Sequence, residues 1–172
     1  IPFWNVEVYI PEVIYFILAA FIIVGTVNAV NITDGVDGLA SGTSIPVCLF
    51  FAAVSFLWGD KYMALGIFAS ALLGGLMGFL VYNFNPAKVF MGDTGSLTLG
   101  FLIAFFGLKF YNLNINTDMF GIQATPAVFL GIVFIPAFDT LRVFCVRIAS
   151  GLSPFYPDKR HIHHKMLRLG LT

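Results

Sequence analysis

The sequence predicts an all-α integral membrane protein, a polytopic helical bundle with about five transmembrane helices and a site on its polar connections. Hydrophobic residues make up 59 % of the chain and charged residues only 10 %. A soluble domain carries about 25 % charged residues, so this composition indicates a chain that is surrounded by lipid. The chain also contains five apolar segments that approach the roughly 20 residues needed to cross a bilayer.

The five predicted spans follow one another with short polar connections. We place them near Val13–Val27, Gly42–Trp58, Tyr62–Tyr82, Gly95–Phe110 and Pro126–Ile148. The connections are residues 28–41, 59–61, 83–94 and 111–125, followed by a tail at 149–172. No internal repeat or linker divides the chain, so residues 1–172 are predicted to form a single transmembrane unit. Cys48 and Cys145 lie within apolar segments, which predicts neither a disulfide nor a cysteine metal site.

The distribution of charge predicts the orientation of the chain. The first, third and fifth spans must end on the same side of the membrane, together with connections 28–41 and 83–94 and the tail. Lys and Arg are concentrated on that side, most densely in the tail. The positive-inside rule makes it the cytoplasmic side, so the polar chemistry of the chain is predicted to lie there.

The first polar motif, NAVNITDGVDGL, places oxygen-bearing side chains at a period of three. They are Asn28, Asn31, Asp34 and Asp37. On a continuous helix they would form one polar stripe, which a hydrocarbon environment would penalise unless something polar binds there. The alternative is an ordinary loop in which Asn and Asp form caps and turns. An EF-hand loop is a poor match, because it needs acids at alternating positions and a closing Glu.

The second motif, NPAKVFMGDTGSLTLG, contains a single carboxylate, Asp93. The neighbouring cation Lys88 and the aromatic Phe90 suit a Mg²⁺ ligand beside a phosphate and a flat base. Mg²⁺ takes one or two carboxylates and leaves its other positions to water and substrate phosphates. The alternative is a helix cap, since an acid is favoured near a helix N-terminus in any case. A P-loop is excluded, because its glycine and lysine pattern is missing.

The third motif, PDKRHIHHKMLRLG, is a dense cationic patch in the tail. It contains His161, His163 and His164 among lysines and arginines. We interpret it as a clamp for phosphate, with an anionic-lipid patch and a zinc site as alternatives. Jointly, the three motifs indicate phosphoryl transfer between a soluble phosphate donor and a lipid acceptor, for which a metal neutralises charge and cations hold the phosphate oxygens.

The three motifs, in this order along the chain, also resemble those of the polyprenyl-phosphate N-acetylhexosamine-1-phosphate transferases of glycosyltransferase family 4. The resemblance covers nearly the whole chain. It implies transfer of N-acetylhexosamine-1-phosphate from a UDP-sugar to undecaprenyl phosphate, with release of UMP, at the cytoplasmic face of the bacterial inner membrane. Mg²⁺ is the implied cofactor and Mn²⁺ the alternative ion. No nucleic-acid partner is expected, and a homodimer is left open.

The resemblance implies roles for individual residues. Asp93 would bind Mg²⁺, with Asn31 as the second protein contact near the metal. The other predicted catalytic residues are Asp34, His163 and His164. The predicted substrate-binding residues are Asn28, Asn31, Asp37, Asn83, Lys88, Phe90 and His161. Among them, Asp37 and Asn83 would hold the uridine, and Phe90 would stack on the uracil.

The tail favours one branch of this family. The order PDK and then HIHH is similar to enzymes that transfer GlcNAc-1-phosphate to begin O-antigen, enterobacterial common antigen or teichoic acid linkage units. The alternative is phospho-N-acetylmuramoyl-pentapeptide transferase of peptidoglycan synthesis, because the first motif is also similar to that branch. Family members are considerably longer and carry an Asp-Asp pair in their amino-terminal half. We therefore expect this chain to be a carboxy-terminal portion that is inactive alone.

The rival from another class is a non-catalytic membrane protein that binds a divalent metal. A transporter would place ionisable groups along a path near mid-membrane. Here Asp139, Arg142 and Arg147 lie within the fifth predicted span, and the first two, three apart on a helix, can pair with each other. This distribution favours the transferase.

Overall fold

The computed structural model describes residues 11–115 and, beyond them, residues 127, 128, 131 and 148. Residues 11–115 form four α-helices, which are α1 at Glu12–Thr33, α2 at Leu39–Leu57, α3 at Met63–Asn83 and α4 at Gly92–Ile115. A 3₁₀ turn at Asp60–Tyr62 connects α2 to α3. All four helices are long and apolar enough to cross a membrane. The predicted all-α, multi-pass membrane fold is confirmed.

The fifth predicted span and the tail fall largely outside the described residues. Pro126–Ile148 lies outside the described residues, apart from Ala127, Val128, Gly131 and Ile148, which are helical. Asp139 and Arg142 fall among the residues outside the description, as does the whole histidine motif of the tail.

The first helix is longer than its apolar segment, which corrects the predicted connection 28–41. α1 continues through Asn28 and Asn31 to Thr33, because polar side chains here bond back to the helix backbone. The Asn28 amide donates to the Val24 carbonyl at 2.8 Å, and the Thr33 hydroxyl donates to the Ala29 carbonyl at 2.7 Å. Such bonds satisfy a polar side chain without leaving the helix.

The predicted polar stripe is therefore wrong beyond the end of α1. Asp34 caps the helix, and its backbone N–H bonds the carbonyls of Val30 and Asn31. Asp37 lies in the turn that follows, so the two acids do not share a helical face. Gly38 closes that turn with φ +73°, a left-handed conformation that glycine adopts without strain.

Two helix pairs form the bundle. α1 packs along α4, and α2 packs along α3. Gly100 on α4 allows the close approach of α1, since a Cβ there would lie 2.7 Å from the Val27 Cα. Small residues at such crossings let the backbones of membrane helices come together. The α1–α4 spacing therefore depends on the absence of a side chain at Gly100.

Aromatic rings fill the interior between α2 and α4. Phe51 and Phe106 stack with ring centroids 5.3 Å apart, and Trp58 stacks on Phe110 at 5.5 Å. All four rings are nearly inaccessible to solvent. In contrast, α1 exposes large apolar side chains such as Phe16 and Phe21. Exposed apolar faces on helices of this length are those expected to meet lipid.

Candidate functional site

The candidate site lies at one end of the bundle, where two polar segments meet. The carboxyl ends of α1 and α3 and the amino ends of α2 and α4 lie together at this end, joined by the turn 34–38 and the loop 84–91. Side-chain hydrogen bonds join the two segments directly, as the contacts of Asn31, Asp37 and Asn83 show. The first two sequence motifs therefore converge in the fold.

Asn31 and Asp93 are in contact across the α1–α4 pair. The Asn31 Nδ2 donates to Asp93 Oδ1 at 3.1 Å and to Ser96 Oγ at 2.8 Å. Asp93 itself lies in the first turn of α4, where the helix dipole stabilises a carboxylate. Because the amide nitrogen is occupied, only the carbonyl oxygen of Asn31 is left for the predicted metal contact.

Asp34 and Asp93 are close enough to influence each other. Burial raises the pKa of the Asp34 carboxyl, and repulsion from the negative charge of Asp93 raises this pKa further. No cation among the described residues contributes to this shift. Two mutually repelling carboxylates at a membrane surface make an oxygen donor set of the kind that Mg²⁺ prefers. The residues present therefore fit a divalent cation.

That convergence of carboxylates leads to a testable electrostatic prediction. Since the pKa of Asp34 is raised on folding above its ordinary value of 3.8, the folded protein binds this proton more tightly than the unfolded chain. The free energy of unfolding must then fall as pH rises from below 3.8 through the raised pKa. Asp34→Asn has no carboxyl at this position, so its free energy of unfolding should not show this decrease with pH.

We expect Asp34→Asn, in EDTA, to have a higher apparent Tm than the wild type at neutral pH, and a Tm near that of the wild type at the acid end of the titration. Added Mg²⁺ should stabilise the wild type more than the variant and so reduce the difference between their apparent Tm values. Thermal unfolding in detergent from about pH 3 to pH 8, a range that begins below the ordinary pKa of 3.8, measures both effects. A difference that is independent of pH and of Mg²⁺ would show that Asp34 does not face an uncompensated carboxylate.

Asn83 joins the α1–α2 turn to the α3–α4 loop. Its Oδ1 accepts the Gly38 N–H at 3.0 Å, and its Nδ2 donates to the Val89 carbonyl at 2.9 Å. The side chain is 3 % exposed, so both of its polar atoms are engaged within the protein. Asn83 therefore holds the turn 34–38 against the loop 84–91. Its contact with uridine stays a prediction.

Asp37 makes a parallel connection between the same segments. Its Oδ2 accepts the Ala87 N–H at 2.9 Å, directly after the cis bond between Asn85 and Pro86. The loop is also closed on itself, because the Lys88 N–H donates to the Tyr82 carbonyl at 2.8 Å. Asp37 thus holds the loop that carries Lys88.

Replacing Asn83 should destabilise the fold, because Asn83→Ala leaves the Gly38 N–H and the Val89 carbonyl without their partners. Both bonds are part-buried, and a hydrogen bond of this kind contributes about 0.5–1.5 kcal/mol, so we expect a loss of about 1–3 kcal/mol in the free energy of unfolding. Unfolding of the full-length protein in detergent measures it. Asn85→Ala, at an exposed position two residues away, is the matched control. Equal stability of the two variants would contradict this role.

The remaining predicted residues of the described part lie at the same end. Phe90 is 72 % exposed and offers a free aromatic face. Lys88 is exposed on the same loop. Asn28 lies on the last turns of α1, with its amide bonded to its own helix rather than to the site. The predicted contacts of His161, His163 and His164 fall outside the described residues.

Within residues 11–115, carboxylates and histidines do not form a metal cluster of three or more members. The carboxylate pair would leave most coordination positions of a cation to water and substrate, which is how Mg²⁺ is usually held. Sequence reasoning missed Ser96, which is fully buried and contacts Asn31. Its signal was its position three residues after Asp93, one helical turn further along α4.

Comparison with known proteins identifies the family. The model of glycosyl transferase family 4 matches residues 1–111, more than half of the chain. The chain belongs to glycosyl transferase family 4. The predicted family is thereby confirmed.

Members of glycosyl transferase family 4 from several bacteria are similar to the chain. A probable undecaprenyl-phosphate N-acetylglucosaminyl 1-phosphate transferase from Bacillus subtilis (strain 168) is 42 % identical over 150 residues, which are 87 % of this chain and 40 % of that protein. A phospho-N-acetylmuramoyl-pentapeptide-transferase from Staphylococcus aureus (strain bovine RF122 / ET3-1) is 45 % identical over 171 residues, 97 % of this chain and 48 % of that protein.

A second protein of the latter name, from Carboxydothermus hydrogenoformans (strain ATCC BAA-161 / DSM 6008 / Z-2901), is 57 % identical over 97 residues. That match covers 56 % of this chain and 29 % of the relative. The chain spans about half the length, or less, of the family 4 relatives it matches. Family 4 membership is therefore established for this chain, and both branches of the family are represented among the relatives.

Proposed function

We propose that the full-length protein transfers N-acetylhexosamine-1-phosphate, in the form of GlcNAc-1-phosphate, from UDP-GlcNAc to undecaprenyl phosphate and so initiates a cell-envelope polysaccharide. The observation that carries this proposal is the convergence of the first two motifs at one end of the membrane helices, where the Asn31 amide contacts the Asp93 carboxylate at 3.1 Å. An exposed aromatic ring, Phe90, lies on the loop that precedes Asp93. Membership of family 4 supports the same reaction.

The proposed reaction exchanges one phosphoanhydride bond for another. An oxygen of the lipid phosphate attacks the β-phosphorus of the UDP-sugar and forms a new P–O bond. The bond from that phosphorus to the bridging oxygen breaks, and UMP leaves with the bridging oxygen. Such a displacement depends on alignment of the two oxygens and on neutralisation of the phosphate charge.

The described residues supply parts of this machinery. We propose that Asp93 holds Mg²⁺, with Asn31 as the neighbouring contact that orients the carboxylate. Mg²⁺ would neutralise charge on the phosphates when bound. Phe90 would stack on the uracil, Lys88 would attract the diphosphate, and Asp37 and Asn83 would keep the loop in place for the uridine. His161, His163 and His164 are proposed to meet the phosphates from the tail.

The location of the site suits a lipid acceptor. The polar residues lie at the ends of membrane-spanning helices, which is the level at which lipid phosphates are found. The excess of Lys and Arg in the tail supports a cytoplasmic position for this end, where the UDP-sugar is available. We therefore propose that the chain is a multi-pass protein of the bacterial inner membrane with its site on the cytoplasmic face.

A second candidate is phospho-N-acetylmuramoyl-pentapeptide transfer in peptidoglycan synthesis. It is favoured by the relatives of that name, which reach 57 % identity over 97 residues. The choice of GlcNAc rests on the tail motif, in which His161 is separated from His163 and His164 by Ile162. A third candidate, non-catalytic binding of a divalent metal, would use the same carboxylates without a nucleotide.

The experiment is a comparison of two donors. Full-length protein in detergent is supplied with undecaprenyl phosphate and Mg²⁺, and UMP release is followed from UDP-GlcNAc and, separately, from UDP-MurNAc-pentapeptide. We expect release with UDP-GlcNAc alone. Release with the pentapeptide donor alone would support peptidoglycan synthesis. Release with neither, under conditions in which another family 4 enzyme works, would overturn the proposal and favour metal binding.

A further inference from the structure

Among the described residues, the side-chain amide of Asn31 contacts the Asp93 carboxylate. Ser96 on α4 bonds to that same amide. It lies one turn after Asp93, and its side chain is 0 % exposed. The hydroxyl donates to the Gly92 carbonyl at 3.1 Å and accepts the Asn31 Nδ2 at 2.8 Å. The same Nδ2 donates to Asp93 Oδ1 at 3.1 Å. One amide group on α1 therefore bridges two positions on α4.

The chemistry of these groups fixes the direction of each bond. An asparagine amide nitrogen carries two hydrogens, and here it has two acceptors, one on Asp93 and one on Ser96. Because the serine hydrogen is directed to a backbone carbonyl, an oxygen lone pair is left for the amide. With both hydrogens engaged, the amide plane cannot rotate without breaking a bond. The position of Asp93 Oδ1 is then set from α1.

We infer that Ser96 is a positioning residue for the divalent-cation site, acting through Asn31 on the carboxylate of Asp93. This inference rests on the proposed function, because it takes Asp93 to be the metal carboxylate. Ser96 touches neither the cation nor a substrate in this scheme. It holds the amide that orients the ligand, and groups with such a supporting role typically change metal affinity 10- to 100-fold when removed.

The same helix offers a matched control. The Thr98 hydroxyl donates to the Thr94 carbonyl at 2.6 Å, which is the same kind of bond to the preceding turn that Ser96 makes. Thr98 is exposed, and its hydroxyl has no amide from α1 as a partner among the described contacts. Thr98→Val therefore removes a helical hydroxyl without disturbing the Asn31 bridge.

The test measures binding of Mn²⁺ alone, by electron paramagnetic resonance, to full-length protein in detergent. We expect Ser96→Ala to raise the Kd about 10-fold or more and Thr98→Val to leave it unchanged. Ser96→Thr, which keeps the hydroxyl, should retain most of the affinity. In an Asn31→Ala background, Ser96→Ala should have no further effect, because the two residues act through one bridge. A merely structural role of Ser96 would instead give additive effects.

The outcomes separate this inference from the proposed function. Ser96→Ala with wild-type Mn²⁺ affinity, while Asp93→Asn binds weakly, would overturn the role of Ser96 and leave the metal site standing. Additive losses in the double variant would also overturn it. If Asp93→Asn binds Mn²⁺ as well as the wild type, the metal site itself is wrong. Should Ser96→Ala fold poorly, Ser96→Cys tests the same claim, because a thiol sulfur is only a weak acceptor for the Asn31 amide and should also raise the Kd for Mn²⁺.

Discussion

Asp93→Asn is expected to abolish turnover of the full-length protein while leaving it folded. The amide oxygen of the new side chain can still accept the hydrogen bond from Asn31, so the contact between α1 and α4 is kept. What is lost is the negative charge that would bind the cation. Metal stabilisation of phosphoryl transfer is worth several kcal/mol, so UMP release should fall at least about 100-fold.

The control for this variant is a carboxylate at the opposite end of the bundle. Asp60 is exposed in the 3₁₀ turn between α2 and α3, far along the chain from the proposed site. Asp60→Asn should turn over like the wild type. Apparent Tm values for both variants establish that the proteins are folded. UMP release by Asp93→Asn at more than a tenth of the wild-type rate would remove Asp93 from the catalytic site.

Gly100→Ala should cause a large loss of stability, because it adds a methyl group where α4 contacts the backbone of α1. The new Cβ would lie 2.7 Å from the Cα of Val27 and 3.1 Å from its carbonyl oxygen, both of which are backbone atoms. A backbone cannot rotate away as a side chain does, so α1 and α4 must separate. Overpacking of this kind costs about 1–3 kcal/mol, and unfolding in detergent should show it.

This separation should also reduce activity. Asn31 lies one turn beyond Val27 on α1, so moving the helices apart lengthens its bond to Asp93. Gly78→Ala on α3 is the matched control, because a Cβ there meets no atom within 4 Å. Alanine favours a helix over glycine by roughly 1 kcal/mol, so the control should be as stable as the wild type or more so. Equal stability of Gly100→Ala and Gly78→Ala would show that the α1–α4 contact is not tight.

Most of the fold could be predicted from hydropathy, since the spans of α2, α3 and α4 overlap the apolar segments 42–58, 62–82 and 95–110. The end of α1 could not be predicted that way. Hydropathy treats Asn28 as a helix-ending residue, whereas its side chain bonds the backbone one turn earlier and lets the helix continue. The boundary of α1 was therefore set by a local hydrogen bond that composition does not report.

The family resemblance implied that Asn31 and Asp93 lie at one site, and the structure places the Asn31 Nδ2 3.1 Å from Asp93 Oδ1. The contact of Ser96 with Asn31 was not predictable, because a serine within a glycine-rich helix start has many local explanations. Only the packing of α1 on α4 brings the Asn31 amide to its hydroxyl. The contacts of Asn83 were not predictable from spacing either. Its side chain is buried, and its polar atoms bond to the backbone of the two segments that form the site.

We propose that one divalent cation binds between the turn that contains Asp34 and the start of α4 that contains Asp93. Fe²⁺ in place of Mg²⁺, with ascorbate and peroxide, cleaves backbone close to the bound metal, and mass spectrometry of the full-length protein locates the cuts. We predict cuts in both 31–38 and 90–96 that excess Mg²⁺ suppresses. Cleavage confined to other segments, or cuts that Mg²⁺ does not affect, would contradict the account.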